Sequence, residues 1–317
     1  MSPPACSRVA TVVVTHHGPG PTLQACIGSL AAADPAARIV VVDNSGGPPV
    51  PVAEYGPVTG AGIEVVRVAN EGYGAAANAG ARRLGVLGPA PAGDEVPGSL
   101  ALLNDDIVVE PGWLAPLVAA LDADDGLGAV QPKLLLDRAA GGRATINSVG
   151  VTIDRFGAGS DIGYGTPDDA ASTEVTETAQ PAAIPAFTGG AVLLRTAFLR
   201  GLGGFDERYF LYYEDVDLAL RGAERGWRYA CVPASTVRHA QGSSSAALGD
   251  EVVYLRERNR LWSSFRFHGG ATIGRACWLG VRRLRRPPRG AHARALAAGL
   301  AGAPRRLVER TRARRRT

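Results

Sequence analysis

Two acidic clusters, a lone strand-end carboxylate and one histidine mark where chemistry could occur in this 317-residue chain. The first cluster is Asn104-Asp105-Asp106. Carboxylates that end a buried strand and face a crevice suit a hard cation such as Mg²⁺ or Mn²⁺. Such an ion bridges two phosphates and neutralises a diphosphate leaving group. Polar turns use the same residue types, so the triplet gains meaning only from its partners. The second cluster is Glu214, Asp215 and Asp217, with Arg221 close behind. Acids favour the first turn of a helix, and Asp217 with Arg221 makes an i,i+4 pair. One of the three could project into the crevice as a general base for a hydroxyl, and Asp215 is the better choice because Asp217 already has a partner. His239 precedes a Gly/Ser stretch and suits a metal ligand at a strand end, although a lone His is more often structural. His16 and His17 are adjacent strand residues and face opposite sides, so they form no joint metal site.

Asp43 ends the run Val41-Val42-Asp43-Asn44-Ser45. A carboxylate there can accept hydrogen bonds from a base or a ribose, and it can equally close an Asx-turn. The segment Asn70 to Gly80 places Gly72 and Gly74 at a helix start, where backbone N–H groups attract phosphate. Its glycine spacing is not G-x-G-x-x-G, and close helix–sheet packing explains the same glycines.

These residues need elements to position them. Val9 to Val14 and Ile39 to Val42 are continuous β-branched runs, the pattern of strands buried on both faces. Ile63 to Val68 and Ser99 to Leu103 read as further strands. Helices are expected from a cap at Thr22 to about Ala33, over Gly72 to Leu87, and from Pro111 onward. Strand–helix alternation with short connections predicts a doubly wound, mainly parallel sheet, with right-handed crossovers. Ligands of such sheets bind outside the carboxyl ends of the strands, where Thr15, Asp43, Asn70, Asp105 and Asp106 fall. Further on, 144–164 suggests a hairpin and 166–180 a mobile loop. Residues 187–194 suggest a strand entered through paired glycines, and Glu214 to Arg225 a helix. Residues 227–232 and 236–239 read as two short strands, and Asp250 to Phe267 as a helix.

Composition fits a globular enzyme, with 46% hydrophobic and 20% charged residues. Lys133 is the only lysine among 34 basic residues, so the arginine excess by itself carries little functional meaning. Charge is unevenly placed: residues 275–317 hold fourteen Arg and one acid, Glu309. The whole chain is +4, so residues 1–274 carry −9. An acidic body with a basic end suggests an anionic partner. The four cysteines have no C-x-x-C spacing, which argues against zinc and a disulfide framework. No signal-peptide pattern opens the chain, and no run of 18 apolar residues occurs. A cytosolic enzyme is the expectation.

Six segments in register carry a resemblance. They are the strand ending at Thr15, Val41 to Ser45, the Asn70–Gly80 motif, Leu102 to Asp106, Thr188 to Arg195, and Gly204 to Arg221, together spanning about residues 9–240. In this order they resemble the family 2 glycosyltransferases with the GT-A fold, and most of all bacterial rhamnosyltransferase-like members that build cell-surface polysaccharide. The resemblance implies a catalytic domain over 1–245, with a nucleotide-binding half (9–125) and an acceptor half (126–245). A helical basic extension would cover 246–317. It implies inverting transfer from a dTDP-, UDP- or GDP-sugar to a lipid-linked or saccharide acceptor. Asp43 would hold the nucleoside, among donor contacts that include Thr15, Asn70, Gly74, Asn78 and Asp105. Asp106, with Asp105 or Asn104, would hold Mn²⁺ or Mg²⁺ on the diphosphate, His239 would complete the metal shell, and Asp215 would be the base. One departure stands out: the first position of the family's D-x-D is Asn104.

Two other readings compete. A sugar-nucleotide-binding scaffold without turnover draws its support from Asn104. A nucleotidyltransferase would need a cation-bearing, Gly-rich loop after the first strand, and residues 16–21 contain no Lys or Arg. The region from 250 onward reads as a basic amphipathic segment suited to an anionic membrane surface, on the inner face of the plasma membrane. No nucleic-acid motif accompanies the charge, so nucleic acid is not expected as a partner.

Overall fold

The computed structural model describes residues 9–51, 62–136, 144–168, 180–240 and 248–315. It opens with β1 (Val9–Thr15), α1 (Pro21–Ala33), β2 (Arg38–Asp43), β3 (Ile63–Arg67), α2 (Tyr73–Arg83) and β4 (Ser99–Asn104). The β-branched run of β1 has no polar side, and both of its faces are covered. Val12 and Val14 pack with Ala76, Ala77 and Ala81 of α2, whereas Val13 packs with Leu23, Cys26 and Ile27 of α1. Alternate residues of one strand thus feed two cores. Gly80 lets α2 lie close to the sheet, since a Cβ there would stand 2.6 Å from Val12 Cγ1.

Next come β5 (Ile107–Val109), α3 (Leu114–Ala123), β6 (Leu127–Leu136) and β7 (Thr145–Ser148), then the hairpin β8 (Val151–Ile153) and β9 (Gly159–Asp161). These lead to β10 (Ala182–Ala183), β11 (Ala191–Arg195), α4 (Thr196–Leu202), α5 (Glu214–Ala223) and β12 (Arg228–His239). Among the described residues a ten-stranded sheet runs β10-β12-β6-β11-β4-β1-β2-β3, with β5 on β12 and β7 on β6. The run β4-β1-β2-β3 is parallel, as is β6 with β12. β11 is inserted antiparallel between β4 and β6. By paired residues the sheet is mostly parallel, and it is continuous across residue 125.

Several local expectations are corrected. α1 starts at Pro21 with Gly20 as its N-cap and no side-chain cap bond, so Thr22 is not the cap. α3 starts at Leu114, and Pro111 belongs to the preceding turn. The two short strands expected at 227–239 are one strand, β12. Its register against β6 shifts between Val232 and Thr236, where Pro233 has no N–H for the ladder. The loop expected at 166–180 lies outside the described residues apart from its two ends.

Three helices complete the chain: α6 (Asp250–Phe267), α7 (Gly270–Arg283) and α8 (Arg289–Arg314). They share a small core of Leu261, Phe265, Ala276 and Ala303. Glu257 is buried and pairs with both Arg260 and Arg283. Arg306, only 3% exposed, bonds Asp206 at 2.7 Å and lies over the rings of Tyr209 and Trp262. Burial opposes ionisation of Asp206, yet Arg208 and Arg306 hold its carboxyl down to about 2. Part of the basic extension is therefore locked onto the sheet-bearing body. No helix among the described residues is long and apolar enough to cross a membrane.

Candidate active site

Strand register builds the leaving-group side. Val14 of β1 pairs with Asn104 of β4, which brings the next residues together. Thr15 Oγ1 donates to Asp105 Oδ2 at 2.5 Å, and Thr15 is fully buried. Burial raises the pKa of Asp105; the Thr15 bond opposes this and the Asp106 charge adds to it. Thr15 therefore acts on the site through Asp105.

β5 pairs with β12 so that Ile107 faces His239. His239 Nε2 then lies 3.1 Å from Asp106 Oδ1. The other ring nitrogen, Nδ1, lies 2.8 Å from Asn147 Oδ1. An amide oxygen only accepts, so Nδ1 carries the ring proton. With the ring in its neutral form, Nε2 would turn its lone pair toward a carboxylate oxygen that is buried and has no hydrogen-bond partner. Two facing lone pairs call for a cation between them, a proton or a metal ion. Asn104 Oδ1 is also buried without a partner. Among the described residues no three His, Cys, Asp or Glu side chains group closely enough to hold an ion. Asp106 and His239 could supply two ligands, and Mg²⁺ or Mn²⁺ usually takes further oxygens from water and substrate phosphate. The donor set fits such an ion.

A cavity of about 130 Å³ opens beside Asn104 and Asp105, its wall also including His16, Asn44, Asn70 and Tyr73. Asn70 Oδ1 accepts from Gly72 N at 3.2 Å and Asn44 Nδ2 at 3.4 Å. Asp43 is 1% exposed, next to this wall. Its Oδ1 accepts from Ser45 N and Ser45 Oγ, at 2.9 and 2.6 Å. Its Oδ2 is buried with no hydrogen bond, 3.4 Å from Arg67 Nε. Half of this carboxylate closes a turn, and the other half faces the Arg67 guanidinium. Gly74 and Asn78 are not among the residues that line this cavity. A Cβ on Gly74 would press on Phe205 Cβ at 3.1 Å. Asn78 exchanges hydrogen bonds with Phe205 N and O, at 2.8 and 2.9 Å, and so clamps the loop before α5.

The other side of the site is the start of α5. Asp215 Oδ2 accepts from Gly189 N at 2.9 Å, and its Oδ1 from Val216 N at 2.7 Å. Burial raises its carboxyl to about 6, against those two backbone donors, and Asp161 adds to the rise. Asp217 is held by Arg221 at 2.6 Å, the i,i+4 pair anticipated from spacing. Glu214 is buried, and burial together with Asp215 pushes its pKa well above the ordinary carboxylate range. Asp215 is thus the member of the cluster that is only partly buried, with a carboxyl raised to about 6. Gly189 and Gly190 join the two sides. Gly190 O accepts from Asn104 N at 3.0 Å, and Gly189 O accepts from Tyr73 Oη at 2.5 Å.

Several contributors escaped sequence reasoning. Tyr73 lies inside the Asn70–Gly80 motif, between Gly72 and Gly74, but that motif gives it no role, and Asn147 and Asp161 sit in stretches with no motif of their own. Phe210, Tyr212 and Tyr213 have φ of 68°, 67° and 71°, rare for residues with a Cβ. Asn259 of α6, fully buried, places Nδ2 3.0, 2.9 and 2.7 Å from the carbonyls of Tyr209, Leu211 and Tyr212. Gly72 accommodates the same turn: its φ is 97°, and a Cβ there would collide with Phe210 O at 2.1 Å.

Comparison with solved structures places the fold in the GT-A class. GalNAc-T7, solved with UDP, GalNAc and Mn²⁺, superposes with a TM-score of 0.62 at 17% identity, covering 91% of this chain and 53% of that one. The mannosyltransferase PcManGT from Pyrobaculum calidifontis, solved with GDP-Man and Mn²⁺, gives a TM-score of 0.53 at 16% identity, covering 96% and 84%. The chain belongs to the family described as "Glycosyltransferase like family 2", whose profile matches residues 7–260. It is 30% identical over 248 residues to the N-acetylglucosaminyl-diphospho-decaprenol L-rhamnosyltransferase of Mycobacterium tuberculosis, covering 75% of this chain and 78% of that protein. It is also 32% identical over 149 residues to the O-antigen biosynthesis protein RfbC of Myxococcus xanthus, or 47% of this chain and 11% of that one.

Proposed function

We propose that the protein is an inverting glycosyltransferase that moves rhamnose or a related hexose from a dTDP-, UDP- or GDP-linked donor to an acceptor hydroxyl. The acceptor is lipid-linked or a saccharide, and the product serves cell-surface polysaccharide or glycolipid synthesis on the inner face of the plasma membrane. The relatives' names support the sugar and the acceptor. The observation that carries the reaction type is the Gly189–Gly190 dipeptide. It hydrogen-bonds Asn104 on one side and Asp215 on the other, so leaving-group residues and base flank one short segment.

In this reading Asn70 and Asp43 would hold the nucleoside, Asp43 together with its partner Arg67. Asp106 and His239 would hold Mn²⁺ or Mg²⁺, with Asn104 beside them. The bound ion supplies Lewis-acid stabilisation of the departing diphosphate. Asp215 orients the acceptor hydroxyl and takes its proton as that oxygen bonds to the anomeric carbon. The carbon–oxygen bond to the diphosphate breaks on the opposite face, so configuration inverts.

A scaffold without turnover is the alternative, resting on Asn104 in place of an aspartate. Incubation with a panel of dTDP-, UDP- and GDP-sugars separates the two. We expect one donor to release its nucleoside diphosphate, excess chelator to stop release, and Mn²⁺ to restore it. Donor binding by thermal shift with no release under any metal would favour the scaffold. Full release in excess chelator would remove the metal from the mechanism.

A further inference from the structure

The glycosyltransferase reading leaves one surface unexplained. α7 presents Arg275, Trp278, Val281 and Arg282 on one face, while Ala276 and Gly280 face the core. Trp278 is 53% exposed and Val281 56%. Solvent-facing Trp beside Val is unusual on a soluble surface and marks an interaction site. Arg282 lies over the Trp278 ring at 5.3 Å, and Arg285 is exposed in the turn that follows. Residues 258–308 contain twelve Arg and no acid.

The turn after β8 extends this patch. The Phe156 ring stacks on Trp278 with centroids 6.3 Å apart, and Arg155 lies over Phe156 at 5.0 Å. The same turn reaches the acceptor side of the site. Tyr213 Oη donates to Gly157 O at 3.2 Å and accepts from Gly159 N at 3.0 Å, and Tyr213 stands two residues before Asp215.

We infer that this face, α7 with the 154–157 turn, docks on an anionic lipid bilayer and sets the acceptor side of the site against the membrane. Trp favours the bilayer interface. Arginines bury their stems beside it and keep their charge at the headgroups, and the acid-free run 258–308 gives the charge complementarity, against the single carboxylate of Asp154 in the turn, whose Oδ1 accepts from Phe156 N and Ala158 N. The inference deepens the glycosyltransferase reading by stating where a lipid-linked acceptor would arrive. It assigns docking to α7 rather than to α8, whose Arg306 is buried in ion pairs.

The test sediments the full chain with vesicles of phosphatidylcholine, alone or mixed with phosphatidylglycerol, at low salt and without nucleotide. Binding should require phosphatidylglycerol and fall as salt rises. Arg282→Glu with Arg285→Glu should cut partitioning by roughly 25-fold or more, from roughly fivefold per cation at the surface. Trp278→Ser should also lower it, and should remove fluorescence quenching by brominated lipid. The equal-charge control, Arg305→Glu with Arg312→Glu on α8, should cost much less, and all variants should keep the wild-type melting temperature. The inference falls if the wild type ignores anionic vesicles, if both double reversals weaken binding equally, or if the patch binds RNA in preference to vesicles. Donor hydrolysis, measured without lipid, reports separately on the glycosyltransferase reading.

Discussion

The strand ends at Thr15, Asp43 and Asn104 and the turn from Tyr209 to Tyr213 serve the same site, yet opposite means hold them. The strand ends are fixed by ladder register: Thr15 pairs with Asp43, and Val14 with Asn104. Such placement follows from local β-branched runs and tolerates changes elsewhere. The turn has three non-glycine residues at positive φ, each a strain of about 1–3 kcal/mol. It persists because distant side chains over-determine it. Asn259 gathers three carbonyls, Arg258 Nη2 reaches Tyr209 O at 2.7 Å, and Asn78 clamps Phe205. The strand-end edge of the crevice is therefore built by the sheet, and the turn before Asp215 is held in part by the helical extension.

The largest expected effect lies on the turn side. Asp215→Asn should lower kcat by about 10²–10⁴-fold, the usual worth of a general base, with donor affinity nearly intact. In the wild type, kcat should fall as pH drops through about 6, where burial has raised the Asp215 carboxyl and protonation removes the base. Asp161→Asn should move that limb to lower pH, because it removes a neighbouring negative charge. Rate measurements across pH on the three proteins check this, and a variant at Asp215 with most of its turnover would end the assignment.

A smaller effect tests whether the extension places the base. Asn259→Leu leaves buried carbonyls without a donor, at about 1–3 kcal/mol each, to be read from urea unfolding. Relaxation of the turn should also lower kcat and raise the donor KM, since Phe210 and Leu211 line the crevice. Lost stability with unchanged kinetic constants would show that the turn is held without Asn259.

The same contrast explains what was legible in the sequence. β1, β2, β4 and α6 were readable because each carries its own periodicity or apolar run. β6 was not, since Gln131, Pro132 and Lys133 interrupt it and its burial comes from β11 and β12 on either side. Asp217 could be set aside from its spacing to Arg221 alone. The parts played by Tyr73, Asn147 and Asn259 arise from contacts across 116, 92 and 50 residues, and no local pattern announces them. Gly74 and Asn78 show the converse: their motif was visible, but its spacing serves the packing of α2 against the 204–207 loop.

The central claim is that Asp106 and His239 form a cation site whose geometry Asn147 sets. Titrating Mn²⁺ into the full chain with a nucleoside diphosphate, and following free Mn²⁺ by electron paramagnetic resonance, tests it most directly. The account predicts one ion bound per chain, binding lost in Asp106→Ala and His239→Ala, and affinity about 10–100-fold weaker in Asn147→Leu. Wild-type affinity in all three variants would contradict it.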